Sequence, residues 1–182
     1  MMKVISKIFL IISIIMLMLS SIAFAQREGF GDLANPQPSN HKVDINVHVN
    51  GIGWMGPFHE NDIAGTMWKS KFIDMLSISV KDGTKIRYRV YVEGLGWSSE
   101  VPDGTKVGTI DENRPITAIE IKSDFDGSKI ICVAHARYVG WLPPVEANKG
   151  IVDALENQIE AIKINVIPND GTGDDVFDAF IK

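Results

Sequence analysis

The chain has 182 residues, 45% of them hydrophobic, with 18 basic and 23 acidic side chains for a net charge of −5. That length suits one domain with a sizeable core, and that sign excludes nucleic acid and anionic lipid as natural partners. Cys132 is the only cysteine, so no internal disulfide is possible and packing alone must hold the fold.

The first element is an export signal. Lys3 and Lys7 form a positive start, Ile8 to Leu19 is an uncharged apolar run, and Ala23-Phe24-Ala25 is a small-x-small cleavage site. The run is shorter than the roughly 20 residues a membrane-spanning helix needs. Residues 1–25 are therefore expected to be a cleaved secretory signal peptide, leaving a secreted chain with no transmembrane segment. Cleavage removes two basic residues and no acidic one, so the mature chain is more acidic still. Residues 26–42 include Asn35-Pro36-Gln37-Pro38-Ser39-Asn40, which is linker composition.

From Val43 the chain repeats itself. Gly53-Trp54, Gly96-Trp97 and Gly140-Trp141 recur 43 and 44 residues apart, and three of the four tryptophans sit on this period. A fixed period of this size marks one supersecondary unit in three copies. The repeats span residues 43–80, 86–123 and 130–167. Each opens with an alternating run: Ile45, Val47 and Val49, then Tyr88, Val90 and Val92, then Cys132, Ala134 and Ala136. Period two predicts a half-buried strand. At Cys132 the other copies carry Ile45 and Tyr88, which predicts a buried structural thiol.

A glycine corner follows each strand, with Gly51, Gly94 and Tyr138 at its first place, so only the glycine before tryptophan recurs three times. Pro102-Asp103-Gly104 is a hairpin signal, matched by Glu60-Asn61 and Ala147-Asn148. Gly65-Thr66 and Gly108-Thr109 come next, and simple alignment puts Ile151-Val152 in their place in the third copy. Each repeat closes with a second alternating run: Leu76 to Val80, Ile119 to Ile121, and Ile162 to Val166. Before it Ile73 and Met75, Ile116 and Ala118, and Ile159 and Ala161 lie on the opposite parity. A slip at the same place in every copy predicts a β-bulge or a bend where the strand changes its core face. Ile151, Leu155, Ile159 and Ile162 have helical spacing, but the equivalent stretch contains Pro115, so strands are predicted there too.

Three units of about four strands predict an all-β, pseudo-threefold closed domain, either a β-trefoil or β-prism-like, because closure hides strand edges. Residues 168–182 form an acidic C-terminal tail. Its Val176, Phe177, Phe180 and Ile181 have the spacing of a short helix.

The period, the Gly-Trp pair, the Gly-Thr pair and closing runs such as Ile116-Thr117-Ala118-Ile119-Glu120-Ile121 resemble the clostridial hydrophobic repeat with conserved tryptophan, in three copies. The likeness covers Val43 to Ile167, and repeat two carries it best. It implies a secreted or surface protein of a Gram-positive anaerobe that binds extracellular partners such as polysaccharide. It assigns no catalytic residue.

Candidate ligand-binding residues are Trp54, Trp97 and Trp141, with His48, Tyr91 and His135 at one equivalent strand position. A periodic tryptophan beside a glycine reads first as a core pillar. The alternative is a stacking platform, since an indole face suits the C–H surface of a sugar. Trp68 lies off the period and reads as local packing. The histidines are not expected to hold zinc, because no Cys, Asp or Glu is seen to recur beside them. Asp103, Asp111 and Glu112 sit in turn sequences and supply no acid pair of the glycosidase kind. No cofactor and no enzymatic activity are expected. Two readings remain: a module for extracellular or cell-wall polysaccharide, or a surface module for protein interaction and adhesion. The second would use tips such as Met55-Gly56-Pro57-Phe58 and Leu142-Pro143-Pro144.

Overall fold

In the computed structural model, residues 42–124 and 128–168 are described. The expected signal peptide, nearly all of the linker and the tail lie outside them. Described residues form strands, turns and bends with no helix, and so none is long and apolar enough to cross a membrane.

Repeat one contributes β1 (Val43–Val49), β2 (Gly53–Phe58), β3 (Ala64–Gly65) and β4 (Ile73–Val80). Repeat two contributes β5 (Ile86–Val92), β6 (Gly96–Trp97), β7 (Val101–Pro102), β8 (Val107–Gly108) and β9 (Ile116–Ser123). Repeat three contributes β10 (Ser128–Ala136), β11 (Gly140–Trp141), β12 (Val145–Glu146), β13 (Ile151–Asp153) and β14 (Ile159–Pro168). The segment with helical spacing is thus strand, turn and strand.

These strands make three antiparallel sheets, and no sheet closes on itself. The centre of each is the long pair from one repeat: β1 with β4, β5 with β9, and β10 with β14. One strand in each sheet comes from another repeat. Strand β8 joins β4, β13 joins β9, and β3 joins β14. The exchange is cyclic, since each repeat lends a short strand and receives one.

The bulge predicted from the parity slip is present in all three copies. His48 pairs with Met75 and Val49 with Ile73, leaving Asp74 as the extra residue. Thr117 and Glu160 are the extra residues between Tyr91–Ala118 and Val92–Ile116, and between His135–Ala161 and Ala136–Ile159. The bulge turns the hydrophobic face of the strand by one residue. Ile73 and Leu76, Ile116 and Ile119, and Ile159 and Ile162 can then all reach the core.

The lent strands explain the glycines. A Cβ on Gly108 would lie 2.2 Å from the Asp74 carbonyl oxygen, and one on Gly65 would lie 2.4 Å from that of Glu160. Only a bare backbone fits so close to the bulge. The next residue donates its N–H to that carbonyl in each copy: Thr109 to Asp74 at 2.7 Å, Thr66 to Glu160 at 2.9 Å, Ala154 to Thr117 at 2.9 Å. The third copy therefore places Asp153-Ala154 here, and the alignment with Ile151-Val152 is corrected by two residues.

A second contact ties the repeats. Asn61, Gly104 and Asn148 all have φ between 64° and 73°. Their N–H groups reach the carbonyls of Ile164, Ile78 and Ile121 on a neighbouring closing strand. Asp103 adds bonds from the Val80 N–H at 2.8 Å and the Ser79 hydroxyl at 3.0 Å. The core gathers the inward faces of all three repeats, including Ile45, Tyr88 and Cys132 at one equivalent level. Burial pushes the Cys132 thiol up to about 12, so it is a structural side chain. The Tyr88 phenol, also raised to about 12 by burial, accepts from the Ile78 N–H at 3.0 Å and donates to the Thr105 carbonyl.

Candidate functional site: three tryptophan corners

The tryptophans are not core pillars. None belongs to the buried cluster. Trp54 is 40% exposed, and Trp97 and Trp141 are half-buried. Each stands on the strand after the glycine corner, directly across from the polar aromatic residue that is last but one in the first strand. The Cα partners are His48 and Trp54, Tyr91 and Trp97, and His135 and Trp141. Cross-strand neighbours on one face touch. The rings meet edge-to-face with centroids 5.6, 5.6 and 5.3 Å apart.

The corner geometry accounts for its glycines. Gly53, Gly96 and Gly140 have φ of 103°, 86° and 94°, where a Cβ is strained. Gly51, Gly94 and Tyr138 have φ of 70°, 75° and 65°, the left-handed well that an L-residue tolerates at modest cost. That is why Tyr138 can replace the first glycine and nothing replaces the second.

The bulge residue completes each corner, and here the sequence reading needs correction. Acids do recur beside the histidines. Asp74 Oδ1 lies 2.6 Å from His48 Nδ1, and Glu160 Oε2 lies 3.3 Å from His135 Nδ1, in buried pairs. Repeat two carries Tyr91 and Thr117 at the same two places, so ring and bulge residue change together. Among the described residues no group of three or more His, Cys, Asp or Glu is placed so that it could hold a metal ion.

A cation also lies over each indole. Lys106 Nζ is 4.2 Å from the Trp54 ring, the Arg89 guanidinium 4.6 Å from Trp97, and Lys163 Nζ 4.8 Å from Trp141. Arg89 is held in turn by Glu120 at 2.5 Å.

The fourth wall comes from the lent strand. Two residues beyond Thr66, Thr109 and Ala154 stand Trp68, Asp111 and Glu156, all left-handed with φ of 62°, 62° and 68°. In corner three Trp68 closes the site. Its indole lies edge-on to His135 with centroids 4.7 Å apart, and the Trp68 backbone N–H donates to Glu160 Oε2 at 3.3 Å. His135 is left 1% exposed between two tryptophans. The off-period tryptophan is thus part of a corner, which sequence reasoning missed.

Corner two stays open. A cleft of about 490 Å³ is lined by Tyr91, Trp97 and Thr117 from repeat two, and by Asp153, Leu155 and Glu156 from repeat three. Tyr91 is 38% exposed in it. Of the six residues proposed from sequence, the structure brings Tyr91 and Trp97 to this cleft. His48 with Trp54, and His135 with Trp141, belong to the other two corners. The expected tips Met55, Phe58 and Leu142 instead pack partly against the core. The exposed apolar tips are Ile52, Leu95 and Val139, one at each glycine corner.

Residues 91–123 match the family model described as clostridial hydrophobic W (ChW). That stretch runs from Tyr91 through Trp97 and Gly108 to the end of β9. One ChW copy is matched, the repeat that also carries the open cleft. No curated protein and no solved structure matches the chain.

Proposed function

We propose that this chain is an exported, non-catalytic module that binds extracellular or cell-wall polysaccharide, chiefly in the cleft between Tyr91 and Trp97. The observation that carries the reading is that cleft. Two aromatic rings, meeting edge-to-face and part-exposed, line a volume in the range of small-ligand sites. An indole face suits the C–H surface of a sugar, and the surrounding Thr117, Asp153 and Glu156 suit its hydroxyls. The ChW match supports a surface or extracellular repeat module. We read all three repeats as ChW copies around a pseudo-threefold axis, of β-prism or β-trefoil type, and the cyclic strand exchange supports that arrangement.

The test is retention on insoluble glycans and on a broad glycan array, with Trp97→Ala beside the native chain. Binding that falls about tenfold or more in a folded Trp97→Ala protein supports the reading. Absence of binding to every glycan sinks it.

A second reading rests on the tips. Ile52, Leu95 and Val139 are 51%, 57% and 55% exposed at three equivalent turns, and folding gains nothing from a bare aliphatic there. A protein-interaction or adhesion module would use them. Enrichment of one protein from a native secretome, lost in a triple Ile52→Ser, Leu95→Ser, Val139→Ser variant, would favour it over the sugar reading.

A further inference from the structure

Resting on the polysaccharide reading, we infer that the Tyr91–Trp97 cleft selects a sugar bearing a free amine, a hexosamine unit, and that Glu156 is the residue that decides this. The corner in repeat three shows where the residue at this position goes. Trp68 occupies it there and lies directly against the strand's polar aromatic ring. The same left-handed conformation at Glu156 brings a carboxylate to the wall facing Tyr91 and Trp97.

Asp153 adds a second acid. It stands where the other two copies have Gly65 and Gly108, so repeat three alone puts a side chain at this point of the lent strand. The bulge position reverses the pattern. It is acidic in corners one and three, where the acid is buried against histidine, and it is Thr117 in corner two. Corner one also has an acid, Asp111, at the Glu156 position, so what sets corner two apart is two acids on its lent strand, Asp153 and Glu156, with no buried acid beneath the ring.

Arg137, which lines a neighbouring cleft together with Glu156, is bonded to Gln158 and lies over the Tyr138 ring. Asp153 accepts the Leu155 N–H at 2.8 Å and forms no ion pair, and Glu156 forms none among the described residues. Arg89, the cation nearest Trp97, is committed to Glu120. A sugar seated on the rings would meet two exposed carboxylates. An ammonium on that sugar would gain charge-assisted hydrogen bonds that an acetamide cannot make. A uronic acid would be repelled.

The experiment titrates the full chain with oligomers of glucosamine and of N-acetylglucosamine of equal length, near neutral pH. Intrinsic tryptophan fluorescence and calorimetry are the readouts. The free-amine oligomer is expected to bind about tenfold tighter. Glu156→Gln should cut that preference to about threefold or less, by weakening the free-amine oligomer more than the acetylated one, and reduce the dependence on salt. Asp153→Asn should act in the same direction. Equal affinities for the two oligomers, or a preference unchanged in both variants, overturns the inference. If neither oligomer binds while other glycans do, the amine inference falls and the polysaccharide reading stands. If no glycan of any kind binds, both fall.

Discussion

The indole of Trp68, from repeat one, stands edge-on to the imidazole of His135, from repeat three, with ring centroids 4.7 Å apart. Trp68 is itself 75% exposed. One repeat therefore caps the corner of another with a side chain that is mostly in water. Trp68→Ala should uncover His135 without removing core packing. The expected stability loss is about 1 kcal/mol, from one aromatic contact and little buried area. The sharper readout is His135 itself. Its ring resonances should shift and its ring N–H exchange with solvent become fast, while the His48 signals stay as they are. An unchanged His135 would show that Trp68 is not the cap.

The lent strands make a second prediction, which contrasts two glycines. Both Gly108 and Gly83 have positive φ, 123° and 92°. A Cβ on Gly108 would meet the Asp74 carbonyl at 2.2 Å and the Met75 Cα at 2.8 Å, all backbone, whereas nothing lies within 4 Å of one on Gly83. Gly83→Ala should cost about 1 kcal/mol of conformational strain. Gly108→Ala must also push β8 off β4, and should cost about 3 kcal/mol or more. Denaturant midpoints of the two variants decide it; equal losses would mean that close approach is not what the Gly-Thr pair is for.

These contacts also show what a single sequence can and cannot carry. The parity slip at Ile73–Met75 revealed the bulge, because hydrophobic periodicity is a direct trace of which face is buried. The same slip puts Asp74, Thr117 and Glu160 43 residues apart, but each stands between two apolar residues and nothing in its own repeat marks it as polar by design. Their partners His48 and His135 lie across the sheet, a pairing that sequence spacing does not express. Trp68 was harder still. Its site is made by strand exchange between repeats one and three, and no periodicity within one repeat encodes a neighbour. Cys132 was legible, since the larger Ile45 and Tyr88 at its level leave no doubt about its face.

The His48–Asp74 pair invites a swap experiment. Asp74 is fully buried, its Oδ1 bonded to His48 and its Oδ2 without a hydrogen-bond partner. Removing one partner of such a pair leaves a buried polar group uncompensated, typically at about 3–5 kcal/mol. His48→Tyr alone and Asp74→Thr alone should each destabilise by about 2 kcal/mol or more. The double variant recreates the Tyr91 and Thr117 combination of repeat two, and should recover most of the loss. Losses that simply add would show the two positions to be independent.

Stability should fall on the alkaline side, and two side chains set the window. Burial raises the Cys132 thiol from 9.0 to about 12 and the Tyr88 phenol from 10.0 to about 12. For both, the folded state holds its proton above the pH at which the unfolded chain releases it. The unfolded state then binds fewer protons, so unfolding becomes more favourable as pH rises. The contribution is fully present below about pH 9 and is lost between about pH 9 and pH 12, at roughly 1 kcal/mol per pH unit for each group. Urea denaturation across that range should show the slope. Cys132→Ala should remove its early part, and Tyr88→Phe its later part, though Tyr88→Phe also loses the hydroxyl's bonds to Ile78 and Thr105 and so starts from lower stability. A flat profile in the native chain would mean that neither group stays protonated in the folded core.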